Sequence, residues 1–180
     1  MRQAPIAAAA LTLGVGVFAT SVGAASASSS PARIASCTAS EVAVSFNVVR
    51  GSQGAGQTSY ALRVKNVSAA TCRTGGLPQL VLRGGRGAKL PTKVEVACGN
   101  CAAIVINLRP GLSAWSTARF SPDVPGPGET GRQCEPTAYH VVVTTPGSTR
   151  GVEGAIHPPT PVCSHGRILL TYLGTSKPAA

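Results

Sequence analysis

The chain has 180 residues, with 16 Lys and Arg against 6 Asp and Glu, a formal net charge of +10 at pH 7. A length of this order suits one domain rather than several, and because aromatic residues make up only 4% of it, Val, Leu, Ile and Ala must fill the core. One Asp, Asp123, and three late His leave little material for carboxylate or histidine catalysis.

The N-terminus reads as an export signal. Arg2 precedes an apolar, Ala-rich run from Ala4 to Thr20, and the small residues Ala25, Ser26 and Ala27 place cleavage after Ala27. That run falls short of the about 20 apolar residues a spanning helix needs, and no later segment approaches it. Ile34, Ala35, Ser36 and Cys37 spell a lipobox, which would attach Cys37 to lipid. Ser28 to Arg33, with Pro31 and a charge, separates it from the apolar run and argues against the anchor. Removing residues 1–27 takes away one Arg, leaving 15 basic against 6 acidic residues, a net +9. A domain of the remaining size buries about 68–70% of its unfolded surface, enough for a core. The expected organisation is a signal peptide over 1–27, a polar linker over 28–36, a β-domain over 37–173 and a flexible tail over 174–180. The mature chain is expected to be secreted.

Past Cys37 the chain runs in short alternating segments closed by turn residues. In residues 41–49 Val42, Val44, Phe46 and Val48 share one face, the period of two that a half-buried strand requires. Residues 60–67 alternate Tyr60, Leu62 and Val64 with Arg63 and Lys65. Further strands are predicted at Gln79 to Arg83, Thr92 to Ala97, Ala102 to Leu108, Ser113 to Phe120, Ala138 to Thr144 and Arg167 to Leu173. Their separators, GGRG, RPGL, SPDVPGPGETG and HPPTP, are dense in Gly and Pro, which end strands and set turns. Eight short strands with antiparallel-style links predict an all-β sandwich.

Six cysteines in an exported chain favour disulfides, and their even number argues for pairing throughout. The stretch Cys98-Gly99-Asn100-Cys101 has a hairpin pair, Gly-Asn, between its cysteines. The ends of such a turn approach closely enough for a disulfide clip. A thioredoxin-like centre would need the motif at a helix N-terminus, whereas β-type residues stand on both sides. A zinc site would need a second pair at ligand spacing; His157, Cys163 and His165 do not supply one. No metal and no cofactor is expected. Spacing leaves the other four cysteines open, since six cysteines allow 15 connectivities.

From Cys37 to about Leu173 the chain resembles the secreted domain-of-unknown-function 4232 family of high-GC Gram-positive bacteria. The likeness is carried by Cys37, by the run LRVKNVSAATCRTGGLPQLVL with Asn66, Cys72, Gly76 and Pro78, by LRPGLSAW, and by QCEPTAYHVVVTTPG followed by Cys163. The resemblance implies an immunoglobulin-like antiparallel β-sandwich, disulfides Cys37–Cys72 and Cys134–Cys163, and no established activity. Cys98 and Cys101 are additions to its four-cysteine pattern, which supports pairing them with each other.

Catalytic motifs are missing. GLSAW lacks the second Gly of a nucleophile elbow. Asp123 sits among prolines, a poor place for a carboxylate that must orient a histidine. Glu41, Glu95, Glu129, Glu135 and Glu153 stand in no suggestive context for paired-carboxylate hydrolysis. Asn66-Val67-Ser68 has the form of a glycosylation acceptor, read here as a strand end.

The basic surface carries more. Arg83, Arg86 and Lys89 flank the GGRG turn, and Arg63, Lys65 and Arg73 lie on or near a strand close by in sequence. RGGRG resembles a nucleic-acid element, but no aromatic residue stands beside it for base stacking, and no nucleic acid is expected as partner. The charge favours anionic polymers of the cell envelope, through salt-sensitive attraction. The expectation is a secreted, non-enzymatic binding module. A small protease inhibitor using the Pro-rich loop Ser121 to Gln133, next to Cys134, is the alternative.

Overall fold

A computed structural model describes residues 33–98, 102–129, 134 and 136–179. The signal segment 1–27, residues 28–32 of the linker, Cys101, Glu135 and residues 130–133 of the Pro-rich loop lie outside the described residues.

The described chain is all-β. It forms β1 (Val42–Val48), β2 (Thr58–Asn66), β3 (Cys72–Gly75), β4 (Gln79–Gly84), β5 (Lys93–Val96), β6 (Val105–Leu108), β7 (Ser113–Phe120), β8 (Ala138–Thr144), β9 (Val152–Thr160) and β10 (Arg167–Leu170). Strict alternation sets β7, and β8 alternates from His140 onward after a register shift at its start; the bounds of both coincide with the sequence expectation. Two strands were not expected, β3 and β9. β3 is four residues long and carries no hydrophobic alternation. β9 contains Pro158 and Pro159, which cannot donate to a ladder. The structure accommodates them where the β8–β9 register shifts: Ala138 faces Thr160 and His140 faces Ala155, so both prolines fall in the bulge between.

Eight strands form one sheet in the order β4-β8-β9-β1-β2-β7-β10-β5, and β3 pairs with β6 in a second, small sheet. The two strands at the ends, β4 and β5, are consecutive in the chain. Their connection folds back on β4, where Leu90 N–H donates to the Leu82 carbonyl at 2.9 Å. The large sheet therefore curls into a nearly closed, barrel-like wall, and the two-sheet sandwich expected above is matched at the coarser level of an all-β fold with disulfides. The purely antiparallel linkage is corrected: β1 pairs with β9, and β5 with β10, in parallel. Each parallel pair joins strands far apart in sequence, so no hairpin turn dictates its direction.

The curl encloses the main core. Phe46, Leu62, Ile156, Ile168 and Leu170 are sealed from solvent, with Leu82 and Val141 beside them. Tyr60 packs between Phe46 and Phe120, at ring-centroid distances of 5.1 and 5.2 Å, so these three aromatics sit together in the core. Its buried hydroxyl donates to the Pro158 carbonyl at 2.8 Å, and its burial pushes the phenol pKa up. A second cluster, with Val42, Val64, Ile106, Leu108, Ala114 and Leu173, surrounds the Cys37–Cys72 disulfide.

Candidate functional site: a cationic groove beside Trp115

Side chains on the outer face of β1, β2 and β7 stand in cross-strand rows. Ser45, Arg63 and Trp115 make one row, and Asn47, Ala61 and Thr117 the next. Small residues in the middle leave a depression, and large ones wall it. The result is a groove of about 540 Å³ lined by Ser45, Asn47, Arg50, Ala61, Arg63, Trp115 and Lys177 among others. No carboxylate is among the described residues that line it.

Arg63 is held before any ligand arrives. Its Nε donates to Ser113 Oγ at 2.7 Å, and its guanidinium carbon lies 5.4 Å from the centre of the Trp115 ring. Lys177 Nζ lies 5.9 Å from the same ring. Cations within about 6 Å of an indole are attracted to its face, so Trp115 gathers two positive charges that would otherwise repel. A guanidinium fixed through Nε keeps its terminal nitrogens available as a fork for an oxyanion.

The C-terminal segment completes the wall. Trp115 and Gly174 exchange two backbone hydrogen bonds of 2.8 Å, and Thr171 N–H donates to the Thr117 carbonyl at 3.0 Å. The residues beyond Leu173, expected as a tail, thus begin with a strand-like bridge that carries Lys177 to the groove.

Of the six basic residues singled out in the sequence, the groove takes one, Arg63. Lys65 lies next to it on β2, opposite Ala43 and Ser113. Arg73 is on β3, opposite Asn107. Arg83 is on β4, separated from β2 by β8, β9 and β1. There Arg83 donates to the Gly87 carbonyl at 2.8 Å and approaches Glu153 at 3.9 Å, while His140 Nδ1 lies 3.5 Å from the same carboxylate. Arg86 and Lys89 follow in the turn, where Lys89 bridges back to Arg83. Arg50, Trp115 and Lys177 were missed by sequence reasoning. Arg50 and Lys177 carry no motif, and Trp115 is visible only as one member of an alternating strand.

The cysteines make the pairs Cys37–Cys72 and Cys134–Cys163, with Cα separations of 4.8 and 5.3 Å. Cys98 is also disulfide-bonded; the predicted Cys98–Cys101 clip includes Cys101, outside the described residues. Cys37 is 1% exposed, with its sulfur in the disulfide, so it offers no thiol for lipid attachment in this state.

One of the carboxylates that stood in no suggestive context in the sequence is tightly held. The Glu129 side chain is 3% exposed and accepts backbone N–H bonds from Gly126 at 2.5 Å, Ser164 at 2.8 Å and His165 at 2.5 Å. Ser164 and His165 lie in a left-handed turn, with φ of 56° at each, which points successive N–H groups at one anion. Burial raises the Glu129 pKa, but these donors outweigh it and hold the carboxyl below its ordinary range. With Cys134–Cys163 nearby, Glu129 ties the Pro-rich loop to the turn before β10.

The family described as a domain of unknown function (DUF4232) matches residues 37–174, and the chain belongs to it. No curated protein and no solved structure matches.

Proposed function

We propose that this protein is an exported, non-catalytic binding module that recognises anionic polymers of the cell envelope on the outer face of β1, β2 and β7. The observation that carries the reading is the convergence of Arg50, Arg63 and Lys177 on one groove without a lining carboxylate. Two disulfides suit an oxidising compartment, and no helix among the described residues is long and apolar enough to cross a membrane. The scaffold on this reading is an immunoglobulin-like sandwich, its two faces being the halves of the curled sheet that meet across Phe46, Leu62, Leu82 and Val141.

Co-sedimentation of the mature, oxidised protein with purified cell envelopes over a salt series tests it. Pelleting is expected at low salt and should fall steeply as salt rises, because exposed charges are screened within about 10 Å at 0.1 M. Arg63→Gln should lower it at every salt concentration. Absence of pelleting at any salt concentration overturns the proposal.

A second reading is favoured by the loop beginning at Ser121. Ser121 Oγ accepts the Val124 N–H at 2.9 Å, Glu129 anchors the far end, and Val124 is 51% exposed between them. A preorganised loop with an exposed apolar residue suits a small inhibitor of secreted proteases, since ordering is completed before binding. Titration against a panel of secreted serine proteases distinguishes the two readings, because only an inhibitor gives stoichiometric loss of activity.

A further inference from the structure

Trp115 and Lys177 belong to two depressions. Besides the cationic groove, an adjoining one of about 440 Å³ lies on the other side of the C-terminal segment, and Trp115, Lys177 and Pro178 line both. Their chemistry differs. The first groove holds Arg50 and Arg63 in addition to Lys177. The second adds no charged residue and is lined instead by Thr117, Thr171, Tyr172, Thr175 and Ser176. The Thr171 hydroxyl is committed to the scaffold, accepting the Thr117 N–H at 2.8 Å. The hydroxyls of Thr117, Tyr172, Thr175 and Ser176 bond to no described residue.

We propose that the two grooves are adjoining subsites for one linear polymer that alternates negative charge with neutral hydroxyl-bearing units, and that residues 174–178 form the strap between them. The inference rests on the reading of the cationic groove given above. The anionic group sits against Arg63, Arg50 and Lys177. The neighbouring neutral unit passes Trp115 and hydrogen-bonds to the free hydroxyls beyond. Two facts favour this over a small free anion. Arg50 and Arg63 line only one of the two joined grooves, and Lys177 stands at the boundary, where a repeating chain presents charge and hydroxyl in turn. The strap is built for the position: Gly174 is fixed to Trp115 by paired backbone bonds, and Leu173 just before it is buried, with its N–H on the Gly76 carbonyl at 2.9 Å.

The test is calorimetric titration of the mature oxidised protein with glucuronate and with the hyaluronate disaccharide and tetrasaccharide, which alternate carboxylate and neutral sugars. Inorganic phosphate and polyphosphate are the comparison probes. Affinity is expected to rise about tenfold or more from glucuronate to the disaccharide, the worth of one or two added hydrogen bonds. The double variant Thr117→Val with Thr175→Val should lose that gain and leave phosphate binding unchanged, whereas Arg63→Gln should weaken every probe. A disaccharide no tighter than glucuronate, or a polyphosphate that equals it, overturns the two-subsite inference and leaves the cationic groove standing. Failure of every anion to bind the unmodified protein overturns the groove reading itself.

Discussion

Asn66 is the residue whose removal the structure makes most measurable. It ends β2 with its side chain sealed from solvent. Nδ2 donates to the carbonyls of Ala70 at 2.7 Å and Leu108 at 2.8 Å, and Oδ1 accepts the Ser68 N–H and hydroxyl, both at 2.8 Å. One amide thus joins the end of β2, the loop after it and the end of β6. In Asn66→Ala, Ser68 is half-buried and Ala70 exposed, so both regain water and those losses are about 0.5–1 kcal/mol each. The Leu108 carbonyl belongs to a residue 2% exposed and loses a donor that water cannot replace, a cost of about 1–3 kcal/mol. The sum is about 3 kcal/mol, which for a domain of this size lowers Tm by about 6–12 °C. Thermal unfolding of the oxidised mature protein by circular dichroism, with thiol titration to verify the disulfides, measures it. Asn66→Asp sets a second oxygen against two carbonyls and should be at least as damaging at neutral pH, recovering as acid protonates it. Ser68→Ala, which leaves both Nδ2 bonds in place, should cost under about 1 kcal/mol. A loss below about 1 kcal/mol in Asn66→Ala, or an equal loss in Ser68→Ala, would refute the reasoning. The same burial bears on the Asn66-Val67-Ser68 sequon, because both Nδ2 hydrogens are already donated inside the fold.

Glu129→Gln removes the charge from a carboxylate held by three backbone N–H groups, and the Cys134–Cys163 bond should then be reduced faster by dithiothreitol at pH 7. Because the folded pKa lies below the ordinary 4.5, the ionised carboxylate stabilises the fold fully above that value and loses its contribution as pH falls through the folded pKa. Melting curves of Glu129→Gln and the parent should therefore converge in acid, and a constant gap from pH 7 to 3 would contradict the carboxylate's role. At Gly166, φ is +74° and a Cβ would collide with the Pro91 carbonyl, so Gly166→Ala should cost more than about 1 kcal/mol. An unchanged urea midpoint would show that the turn before β10 relaxes freely.

Local pattern and long-range convergence were not equally legible in the sequence. The bounds of β7 and β8 could be read to the residue because alternation, through all of β7 and through β8 from His140 on, is a signal contained in the segment itself. β9 could not, since its two prolines look like a stop unless the bulge opposite Tyr139 is known, and that bulge is a property of the pair. The direction of the β1–β9 and β5–β10 pairings was hidden for the same reason. Charge shows the difference most clearly. Arg83 and Arg63 were both visible as cations, yet Arg83 meets Glu153, 70 positions away, while Arg63 meets Ser113 and Trp115, up to 52 positions away. Neither outcome is encoded near the arginine. A partner carboxylate turns one cation into part of the sheet's surface lattice, and an aromatic ring with a hydroxyl holds the other in place with its terminal nitrogens uncommitted. Net charge alone therefore does not say where cations converge. On this fold Arg50, Arg63 and Lys177 line one groove where the C-terminal segment crosses Trp115, with no carboxylate among the described residues that line it.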